Sequence, residues 1–214
     1  MFKYILYDFD GTVFDTVEGI TKSVRYAINQ RGMDAELEAL RCFAGPPLVD
    51  MFMEYFGFER AEAEQATVDF RRRYEPVGLH ECSVFPGVAE LLTALRARGL
   101  VTAVATSKPE KLALELLEEN DMLGLFDCVC GSLPNGNNSE KWQVVSRVMD
   151  TLGARPEETV LVGDTKYDVL GAKRCGIKCI GVEYGYAAPG ELSAAGADYI
   201  VPDIPALEAL LTGE

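Results

Sequence analysis

Two aspartates, a glycine and a threonine close the first apolar run of the chain, Tyr4-Ile5-Leu6-Tyr7-Asp8-Phe9-Asp10-Gly11-Thr12. A short apolar run that stops at a glycine turn reads as a buried strand. Carboxylates at its end lose solvation unless something compensates, and a metal ion is the usual compensation. Asp8 can attack phosphorus, dividing one displacement into two through an aspartyl-phosphate, or it can be a plain metal ligand. Asp10 suits an acid that protonates a leaving oxygen and then a base that activates water. Its simpler alternative is a turn or helix-capping residue.

Three further polar clusters follow predicted strands: Thr106-Ser107-Lys108-Pro109, then Lys141, then Gly163-Asp164-Thr165-Lys166-Tyr167-Asp168. Asp164 and Asp168 are spaced i, i+4 around a predicted helix start, so both carboxylates can face one point. With Asp8 they make a hard oxygen set suited to Mg²⁺. Acids placed for the helix dipole would explain Asp164 as well, and Asp168 less well. Gly163 lets the backbone approach closely. Thr106 precedes a predicted helix N-terminus, a ready anion site, while Ser107 is divided between that role and capping. Lys141 supplies the cation needed where charge builds on a transferring group; taken alone it reads as a solvated helix-start lysine. Lys108 is a second, weaker cation. Gly11 and Thr12 complete the candidate phosphate contacts with Thr106, Ser107, Lys108 and Lys141.

The elements that must position these groups alternate. Continuous apolar strands are expected at the start, at Leu100 to Thr106, Phe126 to Cys130, Thr159 to Gly163, Lys178 to Val182 and Tyr199 to Val201. Helices are expected from Phe85-Pro86-Gly87 to a stop at Gly99, with Val88, Leu91, Leu92 and Leu95 apolar, and at Pro109 to about Asn120, Glu140 to Leu152, about Tyr167 to Cys175 and Ile204 to Leu211. This predicts an α/β fold with a doubly wound parallel sheet. The interval from Thr16 to Leu79 shows only helical patterning: Val17 to Ile28 with Gly32 as its cap, Asp34 to Cys42, a helix opened by Pro46 or Pro47 and carrying Leu48 to Phe56, and Glu59 to Val77. It reads as an all-helical unit over residues 16–81 inserted into a core of residues 1–15 and 82–214.

The chain has 214 residues and a formal net charge of −14. That charge argues against a nucleic-acid binder and requires local positive charge if the substrate is an anion. No stretch is long and apolar enough to span a bilayer, and Asp8 and Asp10 fall where a signal peptide would be apolar. A cytoplasmic location and reduced thiols are therefore expected. Of the six cysteines, Cys128 and Cys130 share one strand face and read as structural thiols rather than metal or redox ligands. The lone His80 receives no role. Trp142 and the aromatic residues of the helical insert read as core. Glu36, Glu38 and Arg71-Arg72-Arg73 read as solvated helix faces, with one arginine within reach of an anionic substrate.

The four clusters, in this order, resemble the motifs of the haloacid dehalogenase superfamily: Asp8-x-Asp10-Gly11-Thr12, Thr106, Lys141 and Gly163-Asp164-x-x-x-Asp168. The segments Ala105 to Pro109 and Gly45 to Leu48 are similar to phosphoglycolate-phosphatase-like members. The resemblance implies a Rossmann-like core with an alpha-helical cap. It also implies Asp8 as nucleophile and Asp10 as acid and base. Asp8, the Asp10 backbone carbonyl and Asp164 would hold Mg²⁺, with Asp168 supporting, and Thr106 and Lys141 would hold phosphoryl oxygens. Relatives often carry an arginine before the third-motif lysine, where this chain has Asn138. The expected activity is a Mg²⁺-dependent phosphatase acting on a small phosphorylated metabolite, as a monomer or homodimer without nucleic-acid or membrane partners. A phosphomutase shares every catalytic residue. Asp10, Asp164 and Asp168 disfavour a dehalogenase, and a phosphoacceptor signalling module would use an interior strand and lack the insert.

Overall fold

The computed structural model describes residues 2–133 and 140–213. Asn138 and the rest of the expected Asn-rich loop lie outside the described residues. The chain divides into two compact units, one of Met1–Phe14 with Val84–Glu214 and one of Asp15–Ser83.

The first unit begins with β1 (Tyr4–Tyr7), and the chain leaves it through β2 (Phe14–Asp15). The helical unit holds α1 (Val17–Asn29), a 3₁₀ turn at Leu37–Phe43, α2 (Leu48–Phe56), α3 (Arg60–Tyr74) and a 3₁₀ turn at Gly78–His80. The chain returns through β3 (Ser83–Val84). It continues as α4 (Val88–Ala97), β4 (Val101–Pro109), α5 (Glu110–Glu119), β5 (Cys128–Ser132) and α6 (Lys141–Leu152). The remainder is β6 (Thr159–Gly163), α7 (Lys166–Arg174), β7 (Lys178–Val182), α8 (Glu191–Ala195), β8 (Tyr199–Val201) and α9 (Ile204–Thr212).

Six strands form one sheet in the order β5-β4-β1-β6-β7-β8. Every pairing within it is parallel. The chain winds outward from β1 to β4 and β5, then crosses back and winds the other way through β6, β7 and β8. The order reverses at β1, and ligands in such sheets bind beyond the carboxyl ends of the strands at that reversal. The sheet interior explains the unbroken apolar runs: Ile5, Leu6, Ala103, Val104, Val160, Leu161 and Val162 are all fully buried. Strands covered on both faces cannot alternate apolar with polar residues. Among the described residues, no helix is long and apolar enough to cross a membrane.

The helical unit packs α1 against α3, where Ala63, Ala66, Phe70 and Tyr74 are buried on one stripe, as their spacing predicts. Phe43 anchors an aromatic group, with ring centroids 5.2 Å from Phe52 and 5.8 Å from Phe56. Gly57, left-handed at φ 70°, ends α2.

Several expected boundaries move. The segment expected as a helix from Asp34 to Cys42 is a 3₁₀ turn, and the helix expected to reach Val77 ends at Tyr74. Gln30, not Gly32, caps α1; Gly32 follows at φ 69°. β4 extends three residues beyond Thr106, so α5 starts at Glu110 and Ser107 does not cap it. The cause is local: Thr106 Oγ1 accepts the Lys108 N–H at 3.1 Å, and the register slips between Ala105 and Pro109 before β4 pairs again with Ser132. Trp142 is not core. Its ring stacks under Arg174 at 3.9 Å and its Nε1 donates to Glu140 at 2.6 Å, so a half-exposed cation–π contact replaces the expected burial.

Candidate active site

The candidate site is assembled at the carboxyl ends of β1, β4 and β6. Asp8 follows the last residue of β1 and is fixed by its own N–H, which donates to the Val162 carbonyl of β6 at 2.8 Å. A tight turn comes next, in which the N–H groups of Val13 and Phe14 both donate to the Phe9 carbonyl at 2.9 Å. Gly11 sits in this turn at φ +83°, a left-handed value that favours glycine. A side chain there would also overlap the Asp164 carboxylate. Phe9 and Phe14 stack with ring centroids 4.7 Å apart beneath the turn.

Lys141, the first residue of α6, is the hub of the cluster. The Glu140 N–H donates to Gln143 at 3.2 Å, which fixes the helix start. The Lys141 Nζ then lies 2.6 Å from Asp8 Oδ1 and 2.9 Å from Asp168 Oδ1, and donates to the Ala105 carbonyl at 3.2 Å. The solvated helix-start lysine is thus ruled out, since Lys141 is only 7% exposed. Asp168 is held from its other oxygen, where Oδ2 accepts the Thr165 N–H at 3.0 Å and the Thr165 hydroxyl at 2.8 Å. Asp168 therefore both caps α7 and orients Lys141. Gly163 leaves room for it, because a side chain there would overlap the Asp168 carboxylate.

Asp164 is fully buried. Its Oδ1 accepts the Thr12 hydroxyl at 3.0 Å and its Oδ2 accepts the Tyr186 N–H at 2.8 Å. Thr12, expected among the phosphate contacts, thus spends its proton on Asp164. Thr106 is buried at the end of the regular part of β4, and Ser107 is half-buried. Lys108 is more than the weak candidate it seemed. Its buried Nζ lies 3.0 Å from Asp10 Oδ1 and 5.7 Å from the centre of the Phe9 ring. Asp10, the bridge partner of Phe14 across the turn, is therefore held from the β4 side.

The electrostatics follow from burial. Oxygens of Asp8, Asp164 and Asp168 all lie within 4.8 Å of one another. Three carboxylates against the one Lys141 ammonium leave two negative charges uncompensated in the cluster. Burial first, then repulsion from Asp168, pushes Asp8 up to about 7 despite the pull of Lys141. Burial, Asp168 and Asp8 push Asp164 well above the ordinary carboxylate range, against the Tyr186 N–H and the Thr12 hydroxyl. Burial works against the charge of Lys141, but Asp168 and Asp8 overcome it and the net shift is upward. A formal excess of carboxylate over ammonium among hard oxygens fits a divalent cation.

One segment of the site escaped the sequence reading. Tyr184-Gly185-Tyr186 follows β7 at the same edge. The Tyr184 hydroxyl donates to the Thr12 carbonyl at 3.0 Å, and a side chain on Gly185 would overlap Asp164 and the Gly11 carbonyl. An aromatic–glycine–aromatic triplet at a strand end was the available signal.

Comparison with known proteins agrees with this geometry. A family model described as haloacid dehalogenase-like hydrolase matches residues 5–182. The chain is 39% identical to a 5'-nucleotidase of Pseudomonas aeruginosa, over 97% of this chain and 94% of that protein. It is 32% identical to a plasmid-encoded phosphoglycolate phosphatase of Cupriavidus necator, over 97% and 92% respectively. Among solved structures, a predicted phosphatase from Clostridium acetobutylicum superposes with a TM-score of 0.96 at 36% identity, covering 100% of both chains. The parallel sheet, the clustered motifs at its carboxyl edge and these relatives together place the chain in the haloacid dehalogenase-like hydrolase family, as a phosphatase acting on phosphoric monoesters.

Proposed function

We propose that the chain is a Mg²⁺-dependent phosphatase of a small phosphorylated metabolite, acting through an aspartyl-phosphate on Asp8. The observation that carries the reading is the buried cluster of Asp8, Asp164 and Asp168 around Lys141, with its two uncompensated negative charges. Asp8, the Asp10 backbone carbonyl and Asp164 would hold the cation, which when bound supplies charge neutralisation for an anionic substrate at an acidic edge. Asp8 attacks phosphorus, and the ester oxygen leaves. Asp10, oriented by Lys108, delivers the proton to that oxygen and later takes one from the attacking water. Lys141 and Thr106 hold the phosphoryl oxygens as charge builds on them. Gly11, Thr12 and Ser107 shape the same edge.

The Asp15–Ser83 unit serves as the cap that selects substrate and excludes bulk water. Nucleoside 5'-monophosphates and phosphoglycolate are the first substrates to compare, given the names of the relatives above. The net charge of −14 fits an enzyme of small molecules better than one of nucleic acid.

The test is phosphate release over a panel of monoesters, with Mg²⁺ and with chelator, ranked by kcat/KM. The reading expects Mg²⁺-dependent release with one chemical class preferred. Equal release in excess chelator would overturn the metal requirement. Asp10→Asn should lose turnover or accumulate the acyl-phosphate, and a wild-type steady-state rate in that variant would remove Asp10 from proton transfer.

A further inference from the structure

The phosphoryl chemistry leaves one group of reactive side chains unused. Cys128 and Cys130 share a face of β5, and their Sγ atoms lie 3.6 Å apart. All six cysteines of the chain are free thiols. Arg147 of α6 stands beside the pair, donating to the Gly131 carbonyl at 2.8 Å and pairing with Glu110. Glu110 in turn accepts the Gly131 N–H at 3.1 Å, so the surround is fixed by its own bonds. The hydrogen bond from Cys128, then the Arg147 guanidinium, bring Cys130 down to about 6, while the same shared proton raises Cys128. The two sulfurs are thus in contact with the Cys130 thiol drawn toward its thiolate, an arrangement open to oxidants.

We propose that Cys128 and Cys130 are a redox modification site, closing to a reversible intrastrand disulfide under peroxide and thereby slowing turnover at the carboxyl edge. The Cys130 thiolate attacks one peroxide oxygen; an S–O bond forms, the O–O bond breaks, and the departing hydroxide takes a proton to become water. The Cys128 sulfur then attacks the sulfenic sulfur. The S–S bond forms, the S–O bond breaks, and the oxygen leaves as water with the Cys128 proton. The two thiols together lose two electrons, and one peroxide becomes two waters.

The position of β5 gives the bond its consequence. Residues i and i+2 of an extended strand lie about 6.4–6.8 Å apart, at the upper limit for the Cα atoms of a disulfide, so closure puckers the strand. β5 is an edge strand with a single neighbour and can yield there. Its Cys130 is paired in register with Ala105 of β4, whose carbonyl seats the Lys141 ammonium at 3.2 Å. A pucker at Cys130 therefore pulls on the residue that holds Lys141 in place. A bond that needs such a pucker is also readily reduced, which makes the change reversible. Cys128 is half-exposed and gives a small oxidant its way in.

The site itself is independent of the proposed reaction; only its effect on turnover rests on that reading. The experiment exposes the purified full chain to hydrogen peroxide, blocks remaining thiols with N-ethylmaleimide, and maps peptides after trypsin. Both cysteines fall on the single tryptic peptide ending at Lys141, which contains no other cysteine. The expected result is a peptide lighter by about 2 Da that takes no maleimide, a fall in aryl-phosphate release of about fivefold or more, and recovery of both with dithiothreitol. Cys128→Ser and Cys130→Ser should each keep basal release and lose the response. Two maleimides on that peptide after peroxide would overturn the site. A linked peptide with unchanged release would overturn the coupling to Lys141. A linked peptide in a protein that releases no phosphate from any ester even when reduced would leave the site standing and overturn the phosphatase reading instead.

Discussion

The molecule carries two charge networks built from similar side chains in very different surroundings. At the carboxyl edge of the sheet, Lys141 lies between Asp8 and Asp168, with side chains 6%, 10% and 0% exposed. In the helical unit, Glu81 joins Arg73 at 2.9 Å and Lys22 at 3.0 Å, and Arg73 also donates to the Ser23 hydroxyl at 3.0 Å. These side chains are 20–34% exposed, and Glu18 also pairs with Lys22, so two cations here meet two acids. The Arg71-Arg72-Arg73 run thus divides: Arg73 is committed to Glu81, while Arg71 and Arg72 are exposed and Arg72 pairs with Asp69 at 3.3 Å. Burying charge without balance costs far more than a half-exposed ion pair returns. A fold keeps the first arrangement only where that cost serves binding or chemistry, whereas the second is ordinary surface stabilisation.

The contrast is sharpest in Asp8→Asn. Removing the proposed nucleophile should lower phosphate release at least about 10³-fold while the variant stays folded by circular dichroism. Substantial retained activity in a folded variant would place the chemistry elsewhere. Lys141→Met leaves Asp8 and Asp168 facing each other without their shared cation. It should cost about 10²–10³-fold in kcat/KM, with a larger effect on kcat than on KM. A change in KM alone would make Lys141 a docking charge only.

Cation binding should raise Tm, and by an amount that depends on pH. Asp8 and Asp164 are raised in the folded chain, so folding binds protons between the ordinary carboxylate range and about pH 7. The cation-free protein therefore loses stability as pH rises through that window. Mg²⁺ replaces those protons, so the rise in Tm it produces should grow from about pH 5 to about pH 8. Thermal melts with and without Mg²⁺ check this, and a Tm gain that shrinks toward high pH would contradict it. The smallest effect belongs to the helical unit. Glu81→Gln should change stability by no more than about 1 kcal/mol by denaturant melts, with catalysis nearly unaltered. A loss as large as that of Lys141→Met would erase the distinction between the two networks.

The sequence made the frame of the sheet legible and its fine positioning much less so. β6, β7 and β8 lie where their continuous apolar runs put them, because a strand buried on both faces admits little else. The acids after β1 and β6 were legible as a pair of clusters because residue type and spacing alone restrict what they can do. The grip of Lys108 on Asp10 was not, since it depends on β4 running three residues past its apolar stretch. Thr12 and Tyr186 were equally hidden as the two donors to Asp164, one 152 and the other 22 residues away in sequence. Such contacts are set by the sheet order, which local pattern does not encode. Trp142 was misread because its apolar ring suggested burial, while its neighbours on the folded surface are Glu140 and Arg174.

The central claim is that Asp8 attacks phosphorus and water attacks second. The stereochemical course at phosphorus tests it most directly, using an isotopically chiral phosphate monoester turned over in the presence of an acceptor alcohol. Two in-line displacements, the first by Asp8, predict overall retention of configuration; inversion would mean a single direct displacement and would remove Asp8 from the covalent role.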